Sequence, residues 1–159
     1  MIDYSKPILC LDFDGVIHSY TSGWKGARNI PDMPVAGALE FLCKATDEFD
    51  VHIFSSRSRY FGGRRAMKRW LRDRYTELAF GPTEIPAWLL SYIGRTAFAD
   101  PWDYEVGWAV KKLISKIKFP LEKPAALVTI DDRAICFDGT FPSFNTIKAF
   151  RPWNRRSQP

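Results

Sequence analysis

Two aspartates, Asp12 and Asp14, stand one residue apart at the end of an apolar run in ILCLDFDGVIHSY (8–20). A continuous apolar run of this kind reads as a strand buried on both faces. A carboxylate at the end of such a strand is costly unless something neutralises it, and two side by side need a cation. A second acidic pair, Asp131 and Asp132, closes another apolar run, AALVTIDDRA (125–134), and two hydroxyls, Ser55 and Ser56, close a third, VHIFSS (51–56). Oxygen ligands of this type suit Mg²⁺, which keeps several waters and binds a substrate phosphate as well. A carboxylate beside such an ion can attack phosphorus and form an aspartyl-phosphate.

The elements that must carry these groups can be read from periodicity. Between the first two strands, SGWKGARNIPDMP (22–34) reads as a loop, and Ala38, Leu39, Phe41, Leu42, Ala45 and Phe49 fall at helical spacing. GRRAMKRWLRDRY (63–75) is amphipathic, with Ala66, Met67, Trp70, Leu71 and Tyr75 on its apolar stripe. Within 76–105 the pattern predicts a short strand, a short helix over 84–93 and another strand over 96–99. Val106, Val110, Leu113, Ile114 and Ile117 mark a further helix that FPLEKP stops. FNTIKAF (144–150) reads as a last strand and RPWNRRSQP (151–159) as a tail. Buried strands alternating with amphipathic helices predict an α/β fold: a Rossmann-like three-layer sandwich with a central, mostly parallel sheet. Residues 1–150 are read as one domain with no large cap, followed by the tail. In such a sheet ligands bind beyond the carboxyl ends of the strands, where Asp12, Ser55 and Asp131 converge.

This ordered set resembles motifs one, two and four of the haloacid dehalogenase-like (HAD) superfamily, over about residues 7–140. The resemblance implies that Asp12 is the nucleophile and Asp14 the general acid and base. It implies Mg²⁺ held by Asp12, the backbone carbonyl of Asp14 and an acid of the last pair, with Asp131 as direct ligand and Asp132 as orienting or water-mediated partner. Ser55, or Ser56 if the strand end slips by one residue, would hydrogen-bond the phosphoryl group. Expelling an alkoxide needs a proton donor and expelling a halide does not, so Asp14 favours a phosphatase over a dehalogenase.

The family also needs a lysine. Lys123 lies eight residues before Asp131. On one continuous strand that places it at the opposite rim, roughly 25 Å away at about 3.3 Å per residue. The helix near 106 is expected to begin on the active-site side, which favours Lys111 from that helix, with Lys112 in reserve.

Net charge is +5, which favours anionic partners. Arg57, Arg59, Arg64, Arg65, Lys68, Arg69, Arg72 and Arg74 crowd one segment with Asp73 alone opposed. Arg57 directly follows the serines and is expected to reach a substrate phosphate bidentately. The helical arginines suit a nucleic-acid backbone, and Trp24, Trp102 and Trp153 in loops suit base stacking. With no large cap the site should be open to a bulky substrate. The resulting expectation is a Mg²⁺-dependent phosphohydrolase acting on phosphomonoesters, with nucleotides or nucleic-acid ends as substrates. The alternative is a nucleic-acid- or phosphate-binding module of the same fold with little turnover. The three cysteines show no CxxC spacing and no run approaches a membrane span. A cytoplasmic protein without an obligate protein partner is expected.

Overall fold

The computed structural model describes residues 6–81, 84–93 and 104–156. Among these residues three short strands, β1 (Ile8–Leu11), β2 (Asp50–Ile53) and β3 (Val128–Ile130), form a parallel sheet in the order β2-β1-β3. Lys118 extends the sheet beyond β2, its N–H donating to Val51 O and its O accepting from Ile53 N, at 2.9 and 2.8 Å. Among the described residues five helices accompany the sheet: α1 (Ala38–Glu48), α2 (Gly63–Phe80), α3 (Ala87–Ile93), α4 (Tyr104–Ser115) and α5 (Phe144–Ala149). Among the described residues no helix is long and apolar enough to cross a membrane.

Register decides which side chains meet. Leu9 pairs with Val51 and Leu11 with Ile53, so all four project from one face. They join a single core with Leu42 and Cys43 of α1, Met67 and Leu71 of α2, and Val110, Leu113 and Ile114 of α4. The helices run α1 between β1 and β2, then α2 and α4 between β2 and Lys118, each time moving outward in the sheet. Right-handed crossovers in one direction put successive helices on one face. The chain reverses direction between Lys118 and β3, and the return must cross the other face, where Cys10 and its register partner Thr129 project. That return is made by the irregular segment 119–127. Val128 and Ile130, the register partners of Leu9 and Leu11 on the edge strand, are exposed.

Two element expectations change. The helix predicted over 63–75 continues to Phe80 and ends at Gly81, because Ala79 extends the apolar stripe of Tyr75 by one more turn and is buried too. FNTIKAF forms α5, not a strand. Ser143 precedes it and its Oγ accepts from Thr146 N at 3.1 Å, a local cap that satisfies the first turn's orphan donor and outweighs a weak alternating pattern. The strand expected over 96–99 and Trp102 lie outside the described residues.

Candidate active site

The ladder continues one residue past each strand on a single rim. Asp12 N donates to Ile130 O at 2.9 Å and Phe54 N to Leu11 O at 3.0 Å. The residues that follow, Asp12, Ser55 and Asp131, therefore lie side by side around a cavity of about 240 Å³, which Asp14, Ser56 and Lys123 also line.

Carboxylate oxygens of Asp12, Asp131 and Asp132 lie within 4.8 Å of one another. The Asp132 side chain is 1% exposed, and neither of its oxygens has a hydrogen-bond partner. Burial, with the charges of Asp131, Asp14 and Asp132 adding to it, pushes the Asp12 carboxyl up to about 7, although the Phe13 N–H opposes this. Burial likewise raises Asp132 above the ordinary carboxylate range, against the nearby Arg133. Three acids so close, one of them sealed and without a hydrogen-bond partner, carry negative charge that Arg133 offsets only in part, and a divalent cation bound by hard oxygens matches that requirement. Gly15 makes the approach possible. Its φ is +86°, and a Cβ there would stand 2.6 Å from Asp132 Cγ, so any side chain would push Asp132 out of the cluster.

Asp14 is held by a different set of groups. Arg57 Nε donates to its Oδ2 at 2.8 Å and its Oδ1 at 3.0 Å. His18 Nε2 accepts from Asp32 N at 3.1 Å, so His18 Nδ1 carries the ring proton and donates to Asp14 Oδ1 at 2.9 Å. Both Arg57 and His18 are completely buried. Arg57 Nη1 donates to the carbonyls of Gly26, Ala27 and Asn29 at 2.8, 3.1 and 3.2 Å, and the guanidinium carbon lies 4.8 Å from the Trp24 ring centroid. Arg57 thus faces inward, not toward the cavity as the sequence suggested. The 3₁₀ turn Ser56–Arg59 curls the chain back, so the residue after the serines points beneath the site and fastens Asp14 to the loop at 26–29.

Ser55 is buried and Ser56 exposed, and both line the cavity. Ser55 Oγ also accepts from Arg57 N at 3.3 Å, which ties the hydroxyl to the start of the turn. Lys111 and Lys112 are exposed on α4 and are not among the lining residues; Lys112 lies against the Trp108 ring, 5.2 Å from its centroid. Lys123 does line the cavity. The expectation that put it at the far rim assumed a strand from 123 to 131, whereas β3 spans only Val128–Ile130 and the irregular chain before it brings Lys123 onto the face of Cys10 and Asp12. Arg133 adds a second cation: its N–H donates to Asp131 Oδ1 at 2.8 Å, and its Nε lies 3.9 Å from Asp132 Oδ2.

The segment after α5 is not a free tail. Trp153 Nε1 donates to Gly15 O at 2.7 Å and Asn154 Nδ2 to Ser19 O at 3.2 Å, so both brace the turn that carries the first acids. Comparison with protein-family models, with curated proteins and with solved structures finds no match. Sequence reasoning missed His18, put Lys123 at the opposite rim, and read Trp153 as a stacking aromatic, not as the brace of Gly15. His18 offered a signal, since it lies four residues from Asp14 in a turn too short to put it elsewhere. For Trp153 no local signal exists.

Proposed function

We propose that the chain is a Mg²⁺-dependent phosphomonoester hydrolase of the HAD type, working through an aspartyl-phosphate on a Rossmann-like sheet. The observation that carries this reading is the convergence of Asp12, Asp131 and the sealed, unpartnered Asp132 within 4.8 Å. Asp12, Asp131 and Asp132 would hold the ion, with the Asp14 backbone carbonyl as the family resemblance implies; when bound, it supplies positive charge that offsets the carboxylates and the phosphoryl oxygens.

The chain's own groups account for the rest. An Asp12 carboxylate oxygen bonds to phosphorus as the ester P–O bond breaks, and the departing oxygen takes a proton from Asp14. Asp14 then takes a proton from water, whose oxygen attacks phosphorus and breaks the bond to Asp12, releasing inorganic phosphate. Arg57 and His18 fix the Asp14 side chain, so that the acid that gives its proton in the first step and the carboxylate that takes one from water in the second stand in the same place. Ser55 and Ser56 offer hydroxyl donors to the phosphoryl oxygens, and Lys123, which also lines the cavity, offsets their charge.

Phosphate release from an aryl phosphate tests the reading. Hydrolysis is expected with Mg²⁺ and is expected to vanish with chelator or in Asp12→Asn. Hydrolysis that persists in Asp12→Asn overturns the mechanism.

A further inference from the structure

A second concavity, larger than the acid site, lies apart from it. A cavity of about 690 Å³ lies on the other side of the 3₁₀ turn Ser56–Arg59, and Arg28, Arg59, Arg64, Arg65 and Arg69 all line it with no acidic residue among them. Among the described residues none of these five arginines pairs with a carboxylate; the nearest polar commitment is Arg64 Nη1 donating to Phe119 O at 3.2 Å.

Their placement runs against helix electrostatics. Arg64 and Arg65 occupy the first turn of α2, an 18-residue helix whose N-cap, Gly62, contributes no side-chain bond and whose first turn holds no acid. The amino end of a helix carries partial positive charge and favours anions, so cations there are unfavourable unless an anion sits among them. The helix start is also pressed against the active-site turn: a Cβ on Gly63 would stand 2.9 Å from the Arg57 carbonyl carbon. The rim is aromatic. Phe61 is 96% exposed, and Tyr60 meets Trp24 with ring centroids 5.7 Å apart. Unpaired arginines beside exposed aromatic rings match the backbone and bases of an unpaired strand; an acidic peptide would use the charges and leave the rings unused.

The two cavities share one wall. Ser55 and Ser56 line the acid cavity while Ser58 and Arg59 line the arginine cavity. Three residues of 3₁₀ turn span about 6 Å at about 2.0 Å per residue, so one continuous strand can reach across the shared wall. We infer that the arginine cavity holds the sugar–phosphate backbone of a single-stranded nucleic acid whose phosphorylated end lies in the acid cavity. This inference rests on the phosphatase reading and narrows its substrate from small phosphomonoesters to phosphate-terminated oligonucleotides.

The test uses the full chain, a phosphorylated 12-nucleotide single strand, an aryl phosphate and a polyglutamate of matched charge. Binding is measured by fluorescence anisotropy in the Asp12→Asn background as salt rises. The triple variant Arg64→Ala/Arg65→Ala/Arg69→Ala should lower the slope of log affinity against log salt by about 2, at about 0.7 for each phosphate no longer neutralised. Phe61→Ala should weaken the oligonucleotide about tenfold and leave polyglutamate binding where it was, because only bases stack. In the catalytic background, the triple variant's kcat/KM on the oligonucleotide should fall at least tenfold relative to its kcat/KM on the aryl phosphate. An unchanged salt slope, or polyglutamate bound as tightly as the oligonucleotide, overturns the inference. Aryl phosphate hydrolysis without preference for the oligonucleotide overturns it too and leaves the phosphatase standing. Arginine-dependent strand binding with no phosphate released from either substrate supports the backbone site and overturns the phosphatase.

Discussion

The Nε of Arg57 lies between the two oxygens of Asp14, 2.8 Å from Oδ2 and 3.0 Å from Oδ1, with the arginine side chain wholly buried. Removing one partner of a buried pair strands the other charge, at a cost of about 3–5 kcal/mol. Arg57→Ala should accordingly lower Tm by on the order of 10 °C, taking about 2–4 °C per kcal/mol for a chain of this size. Arg57→Lys should recover only part, since an ammonium cannot bridge Asp14 and three carbonyls of the 26–29 loop at once. Thermal unfolding of the two variants checks this; equal and small losses would mean that the pair is not structural.

Gly15 and Asp132 make a second test. Gly15→Ala places a methyl group where Asp132 stands and forces it into a positive-φ conformation that costs roughly 1–2 kcal/mol. Mg²⁺ affinity should drop about 10–100-fold, the range seen when supports of metal ligands are disturbed. Titration calorimetry measures it.

The Asp12 carboxyl, raised to about 7 from an ordinary 3.8, gives a pH dependence of definite sign. Between those values the folded chain keeps a proton that the unfolded chain has released, so without metal this group makes stability fall as pH rises from about 4 to about 7. Asp132, shifted the same way, adds to the fall. Urea unfolding in chelator should show it in the wild type, and Asp12→Asn should flatten it. Mg²⁺ must displace the proton, so its apparent affinity should climb with pH through neutrality.

Lys123→Ala should lower kcat/KM on an aryl phosphate by about 10²–10³, as loss of one preorganised charge-stabilising group does. Lys111→Ala should leave it unchanged. The reverse result would return the lysine role to α4.

The parts of this architecture legible in the sequence are those written in local periodicity. The apolar runs before Asp12, Ser55 and Asp131 give strands whose ends share a rim, and the stripe Met67, Trp70, Leu71 gives α2. What stays hidden depends on how far regular structure extends and where chains turn. Lys123 is misplaced when AALVTI is read as strand along its whole length, because hydrogen-bonded pairing begins only near Val128. Arg57 escapes a linear reading because a 3₁₀ turn rotates each residue away from the straight continuation of a strand. For α5, a single capping serine decides between two weak patterns.

The bond from Trp153 to Gly15 spans 138 positions. Closing so wide a separation comes late in folding, after nearer contacts have shortened the distance to be bridged. A growing chain displays Asp12 and Asp14 long before the indole that braces their turn has been made. The turn that carries Asp12 and Asp14 thus gains its indole brace only after 138 further positions have been made, which makes Gly15 a reporter of whether that distant contact has closed.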